Sequence, residues 1–327
     1  MRRPLLVTTI ALALPFMLGV AVSAQQAEEA GSAGAFEPAG LLADARSSHT
    51  ATLLPDGRIL IVGGGGPDDL VAMAEIWDPS RGSFSAAGTL VEPRLEPSST
   101  LLLDGRVLVS DCCSPSEVWD PAIGAFGESG SLASTDADPL LRLNVGRVNH
   151  TITRLPDDRL LIVGGVGSQS STAEIWDPAT ESIETIELVE SRQGHTATTL
   201  SDGRVLVVGG VDGEFFSPRS SAEIWDPEGG LLSEAGALTR ARTEHSASLL
   251  DDGRVLVVGG WVDGGLVSEA ELWDPATEEF SAAGSLIETR TLHTATVLDD
   301  GRVLIVGGRG PARGVLATAE IWSPGES

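Results

Sequence analysis

Residues 245–260 read HSASLLDDGRVLVVGG, and residues 293–308 read HTATVLDDGRVLIVGG. An arginine stands three residues ahead of each stretch, Arg242 and Arg290. The same opening arginine recurs as Arg46, Arg94, Arg147 and Arg192, with steps of 48, 53, 45, 50 and 48 residues along the chain. Twelve residues after each comes a second arginine: Arg58, Arg106, Arg159, Arg204, Arg254 and Arg302. Each of these begins an apolar run. A variable segment follows, then Glu-Ile-Trp-Asp-Pro or a near copy, with tryptophans at Trp77, Trp119, Trp176, Trp225, Trp273 and Trp322. A phenylalanine or aliphatic residue and a small-residue stretch with Gly lead into the next unit.

Each unit reads as four short strands. The first alternates and is rich in β-formers (His-Thr-Ala-Thr-Leu-Leu). The second, Val-Leu-Val-Val, is apolar on both faces. The third holds Glu-Ile-Trp and the fourth centres on Phe-Ser-Ala-Ala. Asp-Gly-Arg between the first two strands, and Asp-Pro with small residues between the last two, are tight-turn chemistry. Four strands repeated at a period near 50 predict a propeller whose units are blades. Blades pack face to face, which explains a second strand that does not alternate.

An opening Arg with His-Thr-Ala three residues on, a diglycine after the second strand and a tryptophan in the third resemble bacterial kelch repeats. The resemblance covers residues 36–324 and implies an all-β, six-bladed propeller of the galactose oxidase and kelch superfamily. The expected blades are 46–90, 94–132, 147–188, 192–238, 242–286 and 290–324. The sixth unit stops at Trp322-Ser323-Pro324 without a fourth strand, whereas Phe36 precedes Arg46 by ten residues, as Phe84 precedes Arg94. Residues 36–42 are therefore expected to complete the last blade and close the ring.

Ahead of the repeats, Arg2 and Arg3 precede an apolar run from Leu5 to Val22, and Val22-Ser23-Ala24 offers small residues for cleavage before Gln25. This is the pattern of a secretory signal peptide, residues 1–24, with a retained membrane anchor as the alternative. Residues 25–35 read as a flexible leader. The expected location is secreted or periplasmic. Losing Arg2 and Arg3 takes the formal charge from −26 to −28. Such acidity argues against nucleic acid and anionic lipid as partners. The chain has no lysine and no tyrosine.

The recurring charges read as scaffold. His49, His150, His195, His245 and His293 occupy one position of the unit, with Pro97 in the second. They are expected to be satisfied within their own blades and not to hold a metal. Glu75, Glu117, Glu174, Glu223, Glu271 and Glu320 recur before the tryptophan and are expected to meet the opening arginines. The second arginines are expected to face, across strands two and three, the aspartates after tryptophan, so Arg58 faces Asp78.

Function is expected on the face carrying the two–three loops and the linkers, which vary in length and content. The candidate ligand-binding residues there are Asp68, Asp69, Phe215, Phe216, Arg219, Trp261, Asp263, Arg309 and Arg313. The second unit departs most. Its diglycine is replaced by Ser110-Asp111, and a long linker, 127–146, follows it. It also carries Cys112-Cys113, the chain's two cysteines, which read as a vicinal disulfide, free thiols or an intermolecular bridge. Copper-radical oxidases and sialidases both need tyrosine, so both chemistries are excluded. No catalytic residue, cofactor or metal is assigned. The expected function is a monomeric kelch-type scaffold binding a protein or glycan at the cell surface. The alternative is a carbohydrate-active enzyme, an epimerase or mutarotase, at the axial mouth.

Overall fold

The computed structural model describes residues 34–111, 114–128, 149–165, 171–177, 179–180, 182–188, 190–212, 217–227 and 229–325. The expected signal peptide, Cys112-Cys113, Phe215 and Phe216, and most of the long linker lie outside the described residues. Six four-stranded antiparallel sheets form a six-bladed propeller. Blade 1 is Thr50–Leu53, Ile59–Val62, Met73–Asp78 and Ser83–Thr89. Blade 5 repeats it as Ser246–Leu249, Val255–Val258, Glu269–Asp274 and Glu279–Ser285. Blade 6 takes Thr294–Val297, Val303–Val306 and Thr318–Ser323 from the end of the chain. Its outer strand is Ala35–Leu41 from the beginning, with Phe36 opposite Trp322. The ring closes as the spacing of Phe36 implies.

The apolar second strands are buried to the last residue in blades 1, 4, 5 and 6 because each face meets a different blade. Ile59 and Ile61 pack on Leu304 and Val306 of blade 6, while Leu60 and Val62 pack on Val107 and Val109 of blade 2. Tryptophan ties neighbours together at the rim. The indole N–H of Trp77, Trp119, Trp273 and Trp322 donates to the carbonyl of Ala39, Ala87, Ala235 and Ala283 in the preceding blade, at 2.7–3.0 Å. Each of those alanines is followed by a glycine at positive φ (Gly40, Gly88, Gly236, Gly284). In blades 1, 4, 5 and 6 the pairing register of the outer strand shifts at this point, the mark of a β-bulge. The outer strand of blade 3, Ser182–Glu187, is one residue shorter, lacks the glycine and pairs without a shift. The Trp225 indole that faces it is buried without a partner.

The five opening arginines among the described residues are fully buried. Arg46, Arg94, Arg242 and Arg290 meet Glu75, Glu117, Glu271 and Glu320 at 2.5–3.1 Å, and Arg192 meets Glu223. The same carboxylates accept backbone N–H groups of the incoming linker: Ala43 and Asp44 on Glu75, Ile287 and Glu288 on Glu320. Glu75, Glu117, Glu271 and Glu320 thus each fix a crossing linker while neutralising a buried guanidinium.

One expectation holds only in part and another fails. Arg58 stands across from Asp78, next to the Ile59–Trp77 pair, and feels its charge, but its hydrogen bonds go elsewhere. It bonds Asp56 of its own Asp-Gly-Arg turn, through Nε at 2.8 Å, and the second arginines of the other five blades do the same. Asp78 instead caps the following turn by accepting the Ser80 N–H. Two residues of separation suit a local ring better than a cross-strand reach, and the pair is a third or more exposed, not sealed between blades. Four of the five histidines, in turn, are satisfied by a neighbouring blade and not by their own. His49 Nε2 bonds Thr294 of blade 6, His195 bonds Thr151 of blade 3, His245 bonds Thr196 of blade 4 and His293 bonds Ser246 of blade 5, all at 2.9–3.0 Å. They are pins between blades. Burial, and then the charge of Arg46 or Arg242, pushes His49 and His245 down to about 3, so both are neutral at any ordinary pH.

The diglycine now has a reason. A Cβ on its first glycine would meet the next blade's histidine ring: Gly209 against His245 at 2.9 Å, Gly259 against His293 at 2.9 Å, Gly307 against His49 at 3.0 Å. In blade 2 the strand runs to Ser110, opposite Ser98, so Asp111 holds that first position and Ser110 belongs to the strand. This corrects the replacement read from sequence. Asp111 bonds Arg94. Burial at the seam between blades 2 and 3 is less complete than at the others. Leu108 is half-buried where Leu60, Leu206, Leu256 and Leu304 are fully buried, and Ile152 is 37% exposed.

Candidate functional site

The linkers run over one face from rim to axis and end in a ring around the axis. Two residues after each opening arginine, Ser48, Glu96, Asn149, Gly194, Glu244 and Leu292 all have positive φ, between 52° and 61°. This backbone lets the N–H of one blade reach the carbonyl of the blade before: Glu96 to Ser48, Ser48 to Leu292, Leu292 to Glu244, Glu244 to Gly194, and Gly194 to Asn149. Five side-chain-bearing residues accept a conformation that costs about 1–2 kcal/mol each, and the circumferential hydrogen bonds hold them there.

Part of this ring floors a cavity of about 720 Å³ at the axial mouth. Asn149, Gly194, Glu244 and Leu292 contribute from the ring. The two–three loops of blades 4, 5 and 6 supply Val211, Trp261 and the stretch from Arg309 to Arg313. Trp261 stands on a two-stranded hairpin, Trp261–Val262 with Gly265–Leu266, and remains 38% exposed. A second concavity on its other side is lined by Pro218, Arg240 and Asp263. The blade 6 loop turns through Pro311–Arg313, where Ala312 and Arg313 both have positive φ. Arg309 is anchored by its backbone to Thr291 and by Nε to the Ser47 hydroxyl at 3.3 Å. Glu244 accepts the Thr291 hydroxyl at 3.1 Å.

Of the residues singled out from sequence, Trp261, Arg309 and Arg313 come together in the mouth cavity, and Asp263 lies beyond Trp261. Arg219 is scaffold: it pairs with Glu190 at 2.9 Å and donates to the Ser191 carbonyl. Asp68 and Asp69 are exposed on the blade 1 loop and do not line the cavity. Glu244, Thr291, Gln193 and Asn149 were missed. They belong to the repeat, just after the opening arginines, and the only trace they leave in sequence is that this position varies freely from unit to unit.

No three His, Cys, Asp or Glu side chains among the described residues converge as metal ligands. No helix among them is long and apolar enough to cross a membrane. No family model and no curated protein matches the sequence. Among solved structures the chain is similar to a fungal alcohol oxidase of the AA5 family, solved in complex with copper. The TM-score is 0.61 at 16% identity, over 90% of this chain and 76% of that one. At this identity the likeness is one of fold. This chain has no tyrosine, and four of its histidines spend Nε2 on a neighbouring blade.

Proposed function

We propose that this chain is an extracytoplasmic, kelch-type propeller that binds a glycan in the cavity at the axial mouth. The observation that carries the reading is an exposed tryptophan, Trp261, on the wall of a concave site of about 720 Å³. Small-molecule sites fall in the range of roughly 300–1,000 Å³. An indole face next to polar groups suits a sugar ring, apolar on one side and hydroxylated at its edge. Concavity favours a glycan over a protein partner, which would press on a broader, flatter patch. The basic start and apolar run of residues 1–24 support export.

An enzyme acting on the same ligand is the second reading, and one observation favours it. Glu244 is the one carboxylate among the described residues lining the cavity, and it faces a site that also holds two guanidinium groups. A single base of that kind is enough for proton transfer at a sugar carbon or ring oxygen.

A glycan array probed with residues 25–327, alongside the Trp261→Ala variant, tests the proposal. The wild-type chain is expected to retain a defined subset of glycans, and the variant to lose them. Unchanged retention by the variant would refute the mouth as the binding site. For the second reading, NMR of a bound sugar would show anomeric or epimeric exchange that Glu244→Gln abolishes.

A further inference from the structure

The chain carries 47 acidic residues against 21 arginines, so a guanidinium seldom lacks a partner. Among the described residues every arginine but two is ion-paired with a carboxylate. The paired ones range from the buried Arg46 and Arg290 to the well-exposed Arg81 and Arg154. The two exceptions are Arg309 and Arg313. Both lie on one loop and both line the mouth cavity. That loop also holds its backbone in the left-handed region at two successive non-glycine residues, Ala312 and Arg313. Such strain persists where surrounding structure imposes it, and it gathers at sites that bind.

We infer that the mouth cavity is selective for an acidic sugar, one bearing a carboxylate, and that Arg309 and Arg313 receive its charge. The inference rests on the reading of the mouth as a glycan site and adds the chemical class of the ligand. Two guanidinium groups against the single carboxylate of Glu244 leave the described lining locally positive on a strongly negative protein. A guanidinium can present two parallel N–H donors to a carboxylate, a geometry a neutral sugar cannot use. Trp261 takes the ring, and Glu244 accepts from a hydroxyl.

The test is calorimetric titration of residues 25–327 with a glucuronic-acid disaccharide, its methyl ester, and the matching disaccharide in which a sulfate group replaces the carboxylate. The free acid is expected to bind at least about tenfold more tightly than its ester, with affinity falling as salt is raised. Arg309→Gln and Arg313→Gln are each expected to remove about tenfold from the acid and little from the ester. Arg313→Lys restores part of the loss. Arg81→Gln, outside the cavity, changes nothing. Sulfate binding better than carboxylate would keep the anion site and reassign its ligand, overturning the carboxylate. Acid and ester binding alike, both lost in Trp261→Ala, would overturn the charge inference and leave the glycan site standing. Absence of binding by every acidic probe at millimolar concentration overturns the inference outright. Binding that Trp261→Ala leaves intact overturns the reading beneath it.

Discussion

Replacing Gly259 by alanine would drive a methyl group into the joint between blades 5 and 6. Gly259 has φ of +63°, and an added Cβ there meets the Arg290 carbonyl at 2.6 Å, His293 Cε1 at 2.9 Å and Leu286 Cδ1 at 3.3 Å. Gly82 supplies the control. Its φ is +60°, and an added Cβ meets nothing within 4 Å. Both alanines carry the left-handed penalty of about 1–2 kcal/mol. Only Gly259→Ala adds the cost of displacing a backbone carbonyl and a pinned ring, about 1–3 kcal/mol for an overpacked core. The expected totals are about 1–2 kcal/mol for Gly82→Ala and about 2–5 kcal/mol for Gly259→Ala. For a domain of this size each kcal/mol shifts Tm by about 2–4 °C. Scanning calorimetry should therefore show losses of a few degrees for Gly82→Ala and roughly 5–15 °C for Gly259→Ala. Equal losses would refute the claim that the diglycine exists to seat the next blade's histidine.

Three further outcomes follow from the same packing. His49, His195, His245 and His293 have folded-state values depressed below the ordinary 6.5 by burial, so the unfolded chain binds more protons in the acid range. Their contribution is present above pH 6.5 and is lost as pH falls from 6.5 toward 3, at up to about 1.4 kcal/mol per pH unit per histidine. A urea midpoint that stays level from pH 7 to pH 5 would contradict this. Glu271→Gln removes the ion-pair partner of the fully buried Arg242 and is expected to cost about 3–5 kcal/mol by chemical denaturation; a loss under 1 kcal/mol would show the pair to be dispensable. Amide exchange should be faster in Val107–Ser110 and Leu160–Val163, at the less completely buried seam, than in Val255–Val258 and Val303–Val306. Uniform protection across the four strands would show the seam to be as tight as the others.

The architecture was legible because it is written six times. The period, the turn residues and the ten-residue offset from Phe36 to Arg46 suffice for blade number and ring closure. The Arg–Glu pairs were legible too, because a buried carboxylate repeated before each tryptophan needs a cation within reach. What the sequence concealed is which blade a side chain serves. A histidine in a repeat is equally consistent with a partner in its own blade or the one before, and only the packing decides. The same holds for Arg58, where a local turn competes with a cross-strand partner at the same chemistry. The candidate site was half legible. Trp261, Arg309 and Arg313 stand out because they break the repeat. Glu244 does not, because it occupies a repeat position and matters only through the backbone that turns it toward the axis.

The most direct test of the account is a crystal structure of residues 25–327 bound to the acidic disaccharide. Density for the sugar ring against Trp261, with its carboxylate on Arg309 and Arg313, is the predicted result. Density anywhere else on the propeller, with the axial mouth unaltered, would contradict it.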